Sequence, residues 1–393
     1  MSLKTVSYLS LLLLCASFAA AQKPCGGTVI PPKTLAVNWP QYQHDAAHSG
    51  CNPYESILSP DTVGNLTVKW QYSVERLEDP FPAPTLADGI IYGSWFTYYP
   101  VQGGAYALNA STGALIWQRQ GDLVFSSPAV ANGVAYFSTQ TAFEAVNANT
   151  GALLWQYNQF FEGSGASPTL ANGVVYVGAA NGYIYAFNAG TGALIWKVAP
   201  GNNGDASSSP AVVNGILYVG LQDGNLYALN ASTGDLIWQY TTGGYINSSP
   251  AVANGNVYFG SDDNNVYAVN ATTGALVWKY TTGGQVYCSP AVADGIVYIG
   301  SFLSNYFYAL NASTGALLWQ YAASDYLEAP PAVANGVVYF GSWDGSATAL
   351  NASTGALLWR NTSLGLDSGP VVANGVVYFM GGLGMAAFHL PNH

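Results

Sequence analysis

The chain has 393 residues; half are hydrophobic and 7% are charged, a composition that buries a large core and excludes a disordered chain. Its formal net charge is -11, and its nine Lys and Arg form no basic cluster, which argues against a nucleic-acid-binding surface. With 45 glycines, 28 tyrosines and 11 tryptophans, the chain reads as all-β.

In chain order the first feature is a secretory signal over residues 1–21: Lys4, an apolar run over 9–16, then Ala19-Ala20-Ala21 before Gln22. A lipid-bearing role for Cys15 fits less well, because Leu14 stands where a small residue is expected. The expected destination is extracellular, or periplasmic in a bacterium, and no later run is long and apolar enough to span a bilayer. In such an oxidising compartment Cys25 is expected to pair with Cys51, leaving Cys288 as a free, half-buried thiol. Residues 22–64 form a lead-in that packs against whatever follows. His44 and His48 could share one face of a helix as metal ligands, but neither a third ligand nor a helical apolar pattern accompanies them, so no metal is expected there.

From residue 65 onward the chain is repetitive. Residues 66–72 carry Trp70 and Tyr72 in the pattern of a fourth strand that lacks the three preceding it. The phrase Ala-x-Asn-x-x-Thr-Gly-x-x-x-Trp then returns, ending at Trp117, Trp155, Trp196, Trp238, Trp278, Trp319 and Trp359, with 38 to 42 residues between successive tryptophans. That is the period of a four-stranded propeller blade. One unit shows the parts: a strand over 251–253 after Ser249-Pro250, an Asn254-Gly255 hairpin turn, a strand over 257–260, a polar turn at Asp262-Asp263-Asn264, a strand over 266–270, the Thr273-Gly274 turn and a strand over 276–280.

The last unit ends after its third strand, at residues 385–390, and the orphan strand around Trp70 supplies the fourth. The prediction is an eight-bladed β-propeller of four-stranded antiparallel blades over residues 65–393, closed by pairing the N-terminal strand with the C-terminal hairpin, and monomeric. Trp70 and its seven counterparts should wedge between neighbouring sheets, each indole N–H seeking one acceptor. Five copies of the turn, at Asn109, Asn230, Asn270, Asn311 and Asn351, also match the N-glycosylation acceptor pattern, as do Asn65, Asn247 and Asn361, although the turn wants Asn in any case.

The repeated phrase resembles the tryptophan-docking motif of the pyrroloquinoline quinone (PQQ) dehydrogenases, with Asn109, Asn147, Asn188, Asn230, Asn270, Asn311 and Asn351 where that family usually has Asp. Trp39-Pro40, His44-Asp45 and Gly50 resemble the lead-in found before many secreted PQQ-like propellers. The resemblance implies an eight-bladed ring serving one of two roles. One is an oxidoreductase holding PQQ and calcium; the other is a non-catalytic relative of the propeller lipoprotein of outer-membrane β-barrel assembly. The dehydrogenases stack the quinone against two adjacent cysteines and carry their acidic ligands on long excursions. This chain has no Cys-Cys pair, and its units stay near one length. No cofactor and no catalytic residue are therefore expected, with the PQQ-dependent oxidoreductase as the alternative.

A ligand has to be met where the copies differ. Three residues before the proline that opens each inner strand stand Phe81, Phe125, Gly165, Ser207, Asn247, Tyr287, Glu328 and Asp367. In a propeller this column gathers at one mouth of the channel, together with the turns holding Trp95 and Phe96, Gln222 and Asp223, Asp262 and Asp263, Phe302, and Trp343 with Asp344. The expected contacts for a protein, peptide or glycan are Phe81, Phe125, Asn247, Tyr287, Glu328, Trp343, Asp344 and Asp367.

Overall fold

A computed structural model describes residues 38–73, 82–98, 101–122, 124, 126–159, 162–201 and 204–392. The expected signal sequence and Cys25 lie outside these residues; Cys51 is disulfide-bonded.

Eight sheets follow one another around a ring. Their innermost strands are Thr85–Ala87, Ala129–Ala131, Thr169–Ala171, Ala211–Val213, Ala251–Ala253, Ala291–Ala293, Ala332–Ala334 and Val371–Ala373, which define blades 1 to 8. Blade 5 shows the common plan: Ala251–Ala253, Asn256–Ser261, Asn265–Asn270 and Leu276–Thr281, each antiparallel to the next. The first hairpin turns because Asn254 and Gly255 both take positive φ, 52° and 77°, as a two-residue turn matched to strand twist requires.

Blade 8 is completed from the other end of the chain. Thr67–Tyr72 pairs antiparallel with Gly384–His389, placing Trp70 opposite Ala387, so the ring closes as the two incomplete termini demand. Every outer strand also carries a bulge beside its tryptophan. In blade 4, for example, Leu236 pairs with Leu229 and Trp238 with Ala228, leaving Ile237 as the extra residue. A bulge on an exposed edge spoils it as a template for strand addition by another chain.

The tryptophans dock blade on blade. The indole of Trp278 lies on Gly315 of the next blade's turn, where a Cβ would stand 2.7 Å from the ring, and its Nε1 donates to Ala312 O at 2.8 Å. Tyr258 donates its hydroxyl to the same carbonyl at 3.1 Å. The arrangement recurs for Trp70, Trp155, Trp196, Trp238 and Trp319, each sharing its acceptor with a tyrosine, and Trp117 donates to Ala148 O. Glycine is needed at the turn on two counts: its φ is positive, and the indole occupies the space a side chain would take.

The exception is the seam between blades 7 and 8, where two chain ends meet and no Thr-Gly turn exists. Here Trp359 Nε1 reaches Leu66 O at 3.3 Å, and the fully buried hydroxyl of Tyr339, which has no acceptor among the described residues, is the counterpart of Tyr258 OH. A buried hydroxyl without a partner is unfavourable, whereas a bonded one contributes about 1 kcal/mol. Tyr339→Phe is therefore expected to be neutral or stabilising by up to about 1 kcal/mol, and Tyr298→Phe, which removes a bond to Ala352 O, to destabilise by about that amount. Equilibrium urea unfolding of the two variants checks the opposite signs.

The lead-in makes one circuit of the central channel. Trp39 exchanges two backbone bonds with Leu86 of blade 1; then the amides of Val130, Leu170, Val212, Val252, Val292 and Val333 donate in turn to Pro40 O, the Gln41 side chain, Ala46 O, Ala47 O, Ser49 O and Gly50 O. Cys51–Asn52 runs parallel to the inner strand of blade 7, and Asn52 Nδ2 reaches Val372 O of blade 8 at 2.7 Å. All eight inner strands thus have partners on their axial edge, where a bare ring would leave buried amides unpaired. Glu55 anchors the exit, its carboxylate accepting from the amides of Ser56, Ile57, Leu58 and Gly375. Because Asn38 bonds the first turn of blade 1 and Glu55 the first turn of blade 8, the plug enters and leaves by the same face. Among the described residues the opposite face stays open.

Candidate functional site

The open face holds a funnel of 460 Å³. Tyr42, raised from the lead-in, lines its base and donates its hydroxyl to Ser289 Oγ at 2.9 Å. Above lies an arc of serines, each immediately before the proline of its blade. The amide of Ser127 donates to Ser167 Oγ, Ser167 to Ser209, Ser209 to Ser249 and Ser249 to Ser289, at 2.8 to 3.0 Å. Ala83, Pro330 and Gly369 hold this position in blades 1, 7 and 8, so the polar arc covers blades 2 to 6 only.

The wall is the variable column. Gly165, Ser207, Asn247, Tyr287, Glu328 and Asp367 all line the funnel, joined by Gln222, Asp262 and Trp343 from the turns. Phe81 and Phe125 lie outside the described residues. Backbone bonds brace the turns against the preceding loops: Asp262 N to Tyr245 O, Phe302 N to Gln285 O and Trp343 N to Tyr326 O, at 2.8 to 3.1 Å. The wall is thus held by main chain.

One sector concentrates the chemistry. Phe302 sits 4.9 Å from Tyr287, 4.6 Å from Tyr326 and 5.7 Å from Trp343, ring centre to ring centre, and Trp343 remains 44% exposed. Beside these rings stand three carboxylates, Asp262, Glu328 and Asp367. Gln222 Nε2 bonds Asn247 Oδ1, and Asn247 Nδ2 bonds Asp262 Oδ2 at 3.3 Å, while Asp262 Oδ1 has no donor among the described residues. Burial pushes the Asp262 carboxyl up to about 6, against the relief from Asn247 and with a further rise from neighbouring Asp263. Tyr287 is raised by burial and by the charges of Asp262 and Glu328, so its hydroxyl lies in the field of both. Among the described residues, no Lys, Arg or His lines the funnel.

Other expected contacts are placed elsewhere. Asp344 does not line the funnel; Arg360 holds it at 2.8 Å, hydroxyls of Ser324 and Ser342 bond it, and these hydrogen bonds hold its carboxyl at about 2 against the opposing effect of burial. Asp223 and Asp263 accept from Tyr227 and Tyr267 at 2.7 and 2.6 Å and fix their own turns. Trp95 and Phe96 are buried in blade 1. Cys288 is free but fully buried rather than half-buried, its thiol donating to Ala329 O. His48 is buried in the channel, where Nδ1 meets Pro250 O and Nε2 meets Thr169 Oγ1; burial lowers its pKa to about 4, and with both nitrogens engaged it is a strut between blades 3 and 5. Among the described residues no group of three or more His, Cys, Asp or Glu is placed to hold a metal.

Sequence reasoning missed Tyr42, Tyr245 and Tyr326. The last two stand five residues before the proline, a second column two residues upstream of the first in the same loops between blades. Nothing local in the sequence marks Tyr42 as lining the base.

Two stretches, residues 101–245 and 242–390, match the family profile described as outer membrane protein assembly factor BamB. The chain belongs to this PQQ-repeat family. Solved structures agree at the level of fold. BamB from Moraxella catarrhalis is 22% identical over 84% of this chain and 98% of its own, with a TM-score of 0.63. The quinohemoprotein alcohol dehydrogenase ADHIIG from Pseudomonas putida HK5 is 18% identical over 91% of this chain and 81% of its own, with a TM-score of 0.76. A europium-containing methanol dehydrogenase is 15% identical over 90% and 91%, also at 0.76. No curated protein matches by sequence. The fold is thus shared with an assembly factor and with redox enzymes, and fold alone does not separate them.

The funnel can be tested against PQQ by its chemistry. PQQ is a planar tricarboxylate, and a site for it needs cationic partners and a flat surface for the quinone. Among the described residues the lining offers three carboxylates and no cationic side chain, and the sequence has no pair of adjacent cysteines. These residues do not fit the group.

Proposed function

We propose that this chain is an exported, non-catalytic binding propeller that holds a partner at the open mouth of its ring, through Asn247, Tyr287, Glu328, Trp343 and Asp367. The observation that carries the reading is the lining of the funnel: exposed and half-buried rings beside carboxylates, over a base lined by the chain's own lead-in. Rings on a braced wall supply contact area at low entropic cost, and the carboxylates supply specificity. That the family contains an assembly factor is consistent with such a role. The expected signal over residues 1–21 and the disulfide at Cys51 fit an oxidising, extracytoplasmic compartment.

The test is reconstitution of the purified protein with PQQ and calcium, followed by gel filtration. The expected result is protein free of quinone absorbance and unable to reduce an artificial dye with alcohols or sugars. One equivalent of retained quinone together with dye reduction would overturn the proposal in favour of a quinoprotein oxidoreductase.

A further inference from the structure

We propose that the funnel takes the end of a neutral oligosaccharide, one pyranose ring stacked on Trp343 and its hydroxyl edge held across the channel by Ser167, Ser209, Gln222 and Asp262. This rests on the mouth being the binding surface and names the class of ligand it takes.

The serine arc carries the first argument. Ser127, Ser167 and Ser209 line the funnel and are 2%, 3% and 2% exposed. The oxygens of Ser167 and Ser209 each accept the amide of the preceding blade's serine, and none of the three hydroxyl protons has an acceptor among the described residues. A shielded donor without an acceptor is unfavourable, so an arc of them suits a ligand dense in oxygen. Acceptors stand beside the arc. Asp262 Oδ1 has no donor among the described residues, and the side-chain carbonyl of Gln222, whose amide nitrogen is bonded to Asn247, accepts nothing there. A sugar meets donors and acceptors together, because each of its hydroxyls gives one proton and accepts another on nearly every carbon of the ring. A peptide backbone offers one carbonyl and one amide per residue and meets such an arc far more sparsely.

The far wall is apolar. In a ring of eight, blade 7 stands opposite blade 3, so Trp343 faces the serine arc across the channel. Its indole is 44% exposed, with Phe302 and Tyr326 packed edge-on against it. The C–H face of a pyranose is slightly positive and lies on the negative face of an indole, while the hydroxyls stay at the ring's edge for polar partners. A neutral sugar fits better than an acidic one, since the described lining holds no cationic side chain to meet a uronate. A funnel of 460 Å³ whose base is the lead-in takes the terminus of a chain rather than its middle.

Calorimetric titration of the full mature chain with cellotriose, maltotriose, mannotriose and their hexamers tests this, alongside tri(galacturonic acid) and the uncharged peptide acetyl-(Gly-Ser-Tyr)2-amide. The variants are Trp343→Ala, Asp262→Asn and Ser167→Ala/Ser209→Ala. The control is Leu303→Ala, which removes an exposed side chain that does not line the funnel. Far-ultraviolet circular dichroism checks folding, and if the serine pair unfolds the other two variants carry the test. At least one neutral trisaccharide is expected to bind at one site, its hexamer within about twofold of it, with a tryptophan fluorescence change that Trp343→Ala removes. Binding should weaken about tenfold in Trp343→Ala and Asp262→Asn and severalfold in the serine pair, with the control unchanged and the uronate silent. Silence of every neutral sugar would overturn the inference, as would sugar binding that all the funnel variants retain. Peptide binding that Trp343→Ala abolishes, with the sugars silent, would overturn the sugar while leaving the mouth as the binding surface. A hexamer that binds many-fold more tightly than its trimer would overturn recognition of a chain end.

Discussion

Replacing Trp70 by alanine is expected to destabilise the protein by about 3–5 kcal/mol, as truncation of a large buried aromatic generally does. The same change at Trp278 should match it only in part. Both indoles are buried, rest on a turn glycine and donate to an alanine carbonyl of the next blade. Trp278, however, sits in a strand tethered to its blade by a short turn, whereas the strand of Trp70 is joined to blade 8 only through pairing with Gly384–His389. Loss of the Trp70 wedge should therefore loosen the seam as well as the packing. The measurable signature is early proteolysis near residue 73 in Trp70→Ala and not in Trp278→Ala, in addition to lower midpoints in urea. Equal proteolysis at both sites would show that the seam has no special weakness.

Gly50→Ala is the second large effect, with an expected loss of about 2–5 kcal/mol from a strained backbone and an overpacked contact together. Gly50 has φ of 63°, and an added Cβ would stand 2.5 Å from Ala291 Cβ and 3.2 Å from Pro331 O, in the inner wall of blades 6 and 7. Neither neighbour is the end of a flexible side chain, so the lead-in itself would have to move. Because Gly50 O is also the acceptor for Val333, displacement would strip a buried bond from blade 7. Thermal unfolding checks the size of the loss. Gly133→Ala, at a turn glycine with open space around it, isolates the backbone strain alone.

The architecture was legible because the repeat is strict. Trp-to-Trp spacing, the Asn-Gly turns and the two incomplete ends together specify the number of blades and the closure, and Trp70 opposite Ala387 is that closure. The mouth was legible as a column of differences, and Gly165 through Asp367 do converge on one funnel. Two kinds of residue were not legible. Asp344 and Asp263 look like ligands in a turn sequence, yet their charge is used within the blade, by Arg360 sixteen residues on and by Tyr267 four residues on, and nothing in the turn itself shows which way either carboxylate faces. The lead-in carries no periodicity, because its partners are spread around the blades and are met by backbone in some places and by side chains in others. A segment whose partners are spaced by the repeat, one acceptor per inner strand, has no pattern of its own to read.

The account depends most on the ring being plugged from one face, because that makes the other face a blind funnel with a fixed floor. Native-state hydrogen exchange of the Val212, Val252, Val292 and Val333 amides tests it most directly. They donate only to the lead-in, so the plugged ring predicts that they exchange in the slowest class, through global unfolding. Exchange of these amides ahead of the outer-strand amides would mean that the channel is open to water, and would contradict it.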